Sequence, residues 1–347
     1  MTIRKLPEEI PDREVLTELL SRPSPALIGM MKQLDGDFVF LGVGGKMGPT
    51  MAEMALRAAR EAGVSKRIIG VSRFSNPEEK EHLEKIGVET ISGDLLDKHF
   101  LERLPRVKNV IFLAGMKFGA EGNLPLTWAM NTYLPALTAN YFTDSRIVAL
   151  STGTVYSLVP VSSGGSREDD LFHPVGEYAQ SCLGRERMFQ YGSDRYGNPV
   201  AIIRLNYAVE MRYGVLADIA IKVFLGQPVD LAMGYFNAIW QGDANDMILR
   251  SLEQASSPAL ILNLTGPEIL SVRETAEKFG ELFNKRPLFE GRETETALLN
   301  NASKAFSLLG RPVVGIDEVI RAQAGWILAG RDMLNKPTHF EVRDGKF

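Results

Sequence analysis

From Asp37 onward, short apolar runs alternate with amphipathic stretches. Phe38-Val39-Phe40-Leu41-Gly42-Val43 is continuously apolar, as a strand buried on both faces of a parallel sheet would be. Further strands are expected at Arg67–Ser72, Glu89–Ser92, Asn109–Ala114, Arg146–Ser151 and Val200–Leu205. Between them the spacing predicts helices at Thr50–Ala62, Pro77–Ile86 and Asp97–Leu104, one within Leu126–Thr143, and one from Tyr178 to about Arg195. Strands alternating with helices predict an α/β fold with a doubly wound parallel (Rossmann) sheet. Residues 1–36 form a distinct leader with two short helices: Asp12 caps one through Leu20, and the other runs from Ala26 to Leu34. A packing arm is the reading preferred over a lid or an exchanged dimer arm.

After Asn206 the rhythm weakens. Helices are expected at Val215–Leu225 and Asp243–Leu252, a strand at Leu260–Leu264, and a helix through Phe283 that Ser271 and Glu274 open as a capping box. This gives three parts: a helical extension (1–36), a Rossmann domain (37–206) and a smaller substrate lobe (207–347), partly interleaved with it.

Composition narrows the function. In 347 residues, 39 Lys and Arg against 43 Asp and Glu give a net charge of -4, spread along the chain, which argues against a nucleic-acid partner. The one cysteine, Cys182, excludes an intrachain disulfide and suits a reducing, cytoplasmic setting. The four histidines lack metal-ligand spacing, so no metal is expected. No apolar run reaches the length of a membrane span, and the N-terminus lacks the apolar core of a signal peptide.

The first strand runs into Gly42-Val43-Gly44-Gly45-Lys46-Met47-Gly48. Met47 spoils the spacing GxGxxG; GxxGxxG fits on Gly42, Gly45 and Gly48. Such a turn between a buried strand and a helix lets backbone N–H groups approach a pyrophosphate. At the end of the second strand an acid would select NAD; Ser72-Arg73 stands there instead, and Arg73 can pair with a 2′-phosphate. NADP is therefore favoured over NAD.

These residues resemble the extended short-chain dehydrogenase/reductase family, the NAD(P)-dependent epimerases and dehydratases, over about Asp37–Leu309. Gly93-Asp94-Leu95 is similar to the segment whose Asp touches adenine in that family. Phe112-Leu113-Ala114-Gly115-Met116-Lys117 resembles the end of the fourth strand in its UDP-galactose 4-epimerase-like members, which implies that Ala114 and Lys117 reach the cofactor. Asn131 matches an Asn of the following helix. Ile147–Tyr156 places Thr152 at the family's catalytic Ser/Thr, and Tyr178 falls at its tyrosine. Arg204-Leu205-Asn206 resembles the segment that opens onto substrate. The helices at 126–143 and 178–195 match those of the family's dimer interface, so a homodimer is implied.

One departure matters. The family's Tyr-x-x-x-Lys reads Tyr178-Ala179-Gln180-Ser181-Cys182 here. Without a nearby cation, a tyrosine of ordinary pKa ~10 is scarcely ionised at neutral pH. Three readings stay open. Another cation can replace the lysine, with Lys117 the best placed and Arg185 ~10.5 Å along the helix axis from Tyr178. The chemistry can differ, with Thr152, Tyr178 or Glu177 as acid or base. Or the site binds cofactor without turnover, as a regulator or redox sensor does. Cys182 reads better as a small residue filling the lysine's space than as a nucleophile. The Ser162–Ser166 run is expected to be a flexible loop or a lid, and Trp240–Asp246 either a pocket wall or a capped helix start. The function expected is epimerisation, dehydration or oxidoreduction of a sugar or sugar derivative by hydride transfer, with Tyr178 as general base and Thr152 binding the hydroxyl. Asn206 is expected at the substrate, Arg204 either there, on a phosphate or carboxylate, or in a structural ion pair, and the glycine turn with Lys46 and Met47 at the cofactor.

Overall fold

The computed structural model describes residues 5–7, 9–117 and 122–345. Seven parallel strands form the central sheet: β1 (Phe38–Leu41), β2 (Ile68–Ser72), β3 (Glu89–Ser92), β4 (Asn109–Phe112), β5 (Arg146–Thr152), β6 (Val200–Leu205) and β7 (Leu260–Leu264). Their order is β7-β6-β5-β4-β1-β2-β3. Phe38 lies opposite both Ile68 and Asn109, so the order reverses on either side of β1. A crevice opens at the carboxyl ends of β1 and β4, where such sheets bind ligands.

The alternation within β1 sets the layers. Phe38 and Phe40 face a core with Met54, Met247 and Ile248, whereas Val39 and Leu41 face one with Phe100, Leu134 and Phe189. The helices between strands are α3 (Gly48–Glu61), α4 (Pro77–Ile86), α5 (Lys98–Leu101), α6 (Leu124–Trp128), α7 (Leu134–Tyr141) and α8 (Gly176–Tyr196). A π-helical turn, Ala129–Tyr133, joins α6 to α7.

The leader is integral to the molecule. Its helices are α1 (Arg13–Leu20), which Asp12 caps as expected, and α2 (Pro25–Gln33). Leu16 and Leu20 enter the lobe's core, while Leu27 and Met30 enter the sheet's. Between them the Ser24 N–H and hydroxyl donate to the Asp246 carboxylate at 2.8 and 2.9 Å. The arm thus bridges both cores.

The lobe contains α9 (Val215–Leu225), α10 (Gln241–Arg250), α11 (Val272–Phe283), α12 (Ser303–Leu309) and α13 (Ile316–Leu328). The strand expected at Leu260–Leu264 is present, and as β7 it pairs with β6 in the main sheet. Trp240–Asp246 is helix start and core. Trp240 is buried, the Asp243 carboxylate accepts from the Val313 and Val314 amides, and Asn245 donates to the Leu20 carbonyl. The expected flexible loop is tied down: Ser166 is 2% exposed, and its N–H donates to the Leu299 carbonyl. Beyond α13 the chain returns across the lobe, burying Phe340 against Phe236.

Candidate functional site

The glycine turn is shaped by contacts that tolerate no side chain. Gly42 has φ +89°, and a methyl there would lie 2.7 Å from the Ala114 backbone. A methyl on Gly48 would meet the Val43 carbonyl oxygen at 2.0 Å, so α3 can pack on the strand only through glycine. No side chain caps α3. The N–H groups of Gly48 and Thr50 in its first turn are thus left uncapped by any side chain, and Gly44 and Gly45 before them carry no side chain. These features fit a pyrophosphate.

The adenosine end of such a ligand would meet the carboxyl ends of β2 and β3. Gly93 N–H donates to the Ser72 carbonyl, which brings Asp94 beside Ser72. Asp94 is exposed, Leu95 is buried beneath it, and Arg73 points to solvent.

The other end lies at β4 and β5. Tyr178, near the start of α8, hydrogen-bonds the side chains of Thr152 and Cys182. Burial holds its hydroxyl far above the ordinary tyrosine value; the Cys182 thiol next to it also raises it, and the Arg185 guanidinium pulls the other way. Cys182 is fully buried, which raises its own thiol pKa against the pull of Arg185 and Lys117. Arg185 donates to the Leu150 carbonyl and to Asn131 Oδ1, both at 2.7 Å. Asn131, in the π-helical turn, also grips both backbone groups of Met116. That grip leads directly to Lys117, whose ammonium donates to the Thr338 carbonyl at 3.4 Å. Burial lowers the Lys117 pKa, and Asp218 partly restores it.

Of these groups, Thr152, Lys117 and Thr338 reach a cavity of about 140 Å³. Lys46, Met47, Lys117, Thr152 and Asn206 line it, so residues expected at cofactor and at substrate share one space. The cavity also brings in residues that the sequence did not single out: Tyr207, Tyr213 and Thr338. The Lys46 ammonium sits 2.9 Å above the Tyr213 ring, and burial lowers its pKa to about 7. Tyr207 takes φ +45°, a strained conformation at the cavity wall. Thr338 donates its N–H and hydroxyl to the Asp218 carboxylate at 2.8 and 2.6 Å. Thr338 lies more than a hundred residues beyond Tyr207 and Tyr213, and no local motif links the three. Lys46, inside the turn, carried a visible signal.

Arg204 does not face the cavity. Its side chain is 0% exposed and forms a buried pair with Glu186, which also accepts from the Ser151 hydroxyl at 2.5 Å. Arg204 donates as well to the Tyr156 hydroxyl and the Glu168 carbonyl. Of the two roles expected for it, the structural ion pair is the one it takes, in place of the substrate role: the guanidinium joins β6 to α8. Burial pushes the Tyr156 hydroxyl up to about 12.

No protein-family model matches the chain, and no curated protein does. Solved structures do match. A dTDP-glucose 4,6-dehydratase from Bacillus anthracis, in complex with NAD, has a TM-score of 0.72 at 14% identity, over 84% of this chain and 96% of its own. This chain has the fold of the sugar-nucleotide epimerases and dehydratases. An epimerase from Methanothermobacter thermautotrophicus reaches TM-score 0.72 at 19% identity, over 89% of this chain and 97% of its own. A UDP-glucose 4-epimerase from Thermus thermophilus, in complex with NAD, reaches 0.66 at 20%, over 83% and 97%. The epimerase–dehydratase fold thus takes in nearly all of each relative's chain and leaves part of this one over.

Proposed function

We propose that the chain is an NAD(P)-dependent epimerase, dehydratase or oxidoreductase that acts on a sugar or sugar derivative by hydride transfer. One observation carries this reading. Tyr178 is hydrogen-bonded to Thr152, and Thr152 lines a cavity that Lys46 and Met47 of the glycine turn also line. Proteins of like fold support it, among them one in complex with UDP-glucose and NAD.

A nicotinamide dinucleotide bound here would accept a hydride and return it. Gly42, Gly45 and Gly48 with the first turn of α3 would hold its pyrophosphate. Ser72, Asp94 and Leu95 would border its adenosine, and Ala114 would floor the crossing. Thr152 orients the substrate hydroxyl toward Tyr178, and Asn206, just beyond the end of β6, lines the same cavity. Tyr178 takes the substrate hydroxyl's proton as the hydride leaves and gives it back when the hydride returns; burial opposes the tyrosinate this needs, so the role depends on nearby cations. Lys117 and Arg185, the cations acting on Cys182, are the groups that would stabilise its tyrosinate in place of the missing lysine.

A second reading, a non-catalytic NAD(P)-binding regulator or redox sensor, draws on the buried Cys182 at the lysine position. One experiment separates the two. Freshly purified protein is denatured and its released nucleotide identified; the native protein is then incubated with UDP- and dTDP-sugars while reduced nicotinamide is followed by absorbance. Turnover that Tyr178→Phe abolishes is the expected result. Full activity in that variant removes Tyr178 from the mechanism, and a bound nucleotide that no sugar reduces favours the regulator.

A homodimer is part of the proposal. Trp128 and Tyr133 on α6 and the π-helical turn, and Tyr191 and Tyr196 on α8, are exposed aromatics on the two helices expected to meet a second copy.

A further inference from the structure

The carboxyl end of β2 lacks the acid that would bond a ribose, yet a carboxylate reaches the same place from the next helix. A methyl on Gly44 would lie 2.6 Å from Ser72 Oγ and 3.7 Å from Glu79 Oε2. Glu79 belongs to the first turn of α4, where acids commonly offset the helix dipole. Its neighbour Glu78 is exposed and free to serve that purpose, whereas Glu79 is half-buried and turned toward the glycine turn. Ser72 and Glu79 together thus place a hydroxyl and a carboxylate over Gly44, next to Asp94.

We infer that Glu79 is the specificity-determining residue of the cofactor site: it bonds the adenosine ribose hydroxyls and repels a 2′-phosphate, so the chain takes NAD rather than NADP. The inference rests on the dinucleotide reading above. It also explains why Arg73 does not decide the matter, since Arg73 is exposed and Glu79 stands nearer the turn. The cations acting on Glu79 are Arg13 of α1 and Lys336 of the C-terminal segment. With the carboxylate removed, these and Arg73 would leave the site attractive to a 2′-phosphate.

The test is a pair of titrations with NADH and NADPH, read by isothermal calorimetry on protein stripped of nucleotide, for the unsubstituted chain and for Glu79→Gln and Glu79→Lys. The unsubstituted chain is expected to bind NADH at least about tenfold more tightly. Glu79→Gln should bring the two affinities together, and Glu79→Lys should reverse them. Thermal melting confirms that each variant is folded; Glu79→Asp, which keeps the charge, should keep the preference for NADH and stands in if the others do not fold. NADPH binding as tight as NADH in the unsubstituted chain, or a ratio unchanged in folded variants, overturns the role of Glu79 and leaves the dinucleotide site standing. Failure of both nucleotides to bind at millimolar concentration overturns the dinucleotide reading, and this inference with it.

Discussion

Single residues of the site carry charges that its interior opposes. Lys46 is the plainest case, because burial lowers its pKa to about 7. A bound pyrophosphate favours the charged ammonium and raises that pKa, so binding above neutrality must take up a proton. Dinucleotide affinity should therefore be highest below about pH 7 and fall as pH rises through that value, and Lys46→Met should flatten the dependence. Calorimetry at about pH 8 in two buffers of different ionisation heat measures the proton directly. The sequence revealed Lys46 through its place in the glycine turn. Its partner Tyr213 was invisible, since the stacking depends on how the lobe folds back. Arg204 left two readings open, because a charged residue at the end of a strand looks the same in sequence whether it meets substrate or a buried Glu186.

Secondary-structure elements were the most legible level. Pro77–Ile86, Glu89–Ser92, Val200–Leu205, Val215–Leu225 and Leu260–Leu264 were expected at the bounds they take. Apolar periodicity and caps act locally, so they can be read without the fold. The π-helical turn at Ala129–Tyr133 was not foreseen, because it exists to aim Asn131 at Met116 across a tertiary contact. The junction of α8 and β6 depends on the buried Glu186–Arg204 pair. Arg204→Met leaves the buried Glu186 without its partner charge, and should cost about 3–5 kcal/mol. Urea unfolding followed by circular dichroism measures that loss; replacing both Glu186 and Arg204 with apolar residues should recover much of it.

For the whole molecule, the proposed homodimer would cover the exposed aromatics Trp128, Tyr133, Tyr191 and Tyr196. Light scattering at micromolar concentration should give the mass of two chains, and Tyr133→Asp combined with Tyr191→Asp should give that of one. The sequence puts a lobe boundary after Asn206, where the rhythm weakens, and residues 260–264 return from beyond it to the main sheet. Were the chain cut at Asn206, β6 would keep β5 but lose β7, and would present a row of bare amides and carbonyls along an apolar edge. The dinucleotide half is for that reason no portable module: alone, it would offer a template on which other extended chains add, and its fate would be aggregation.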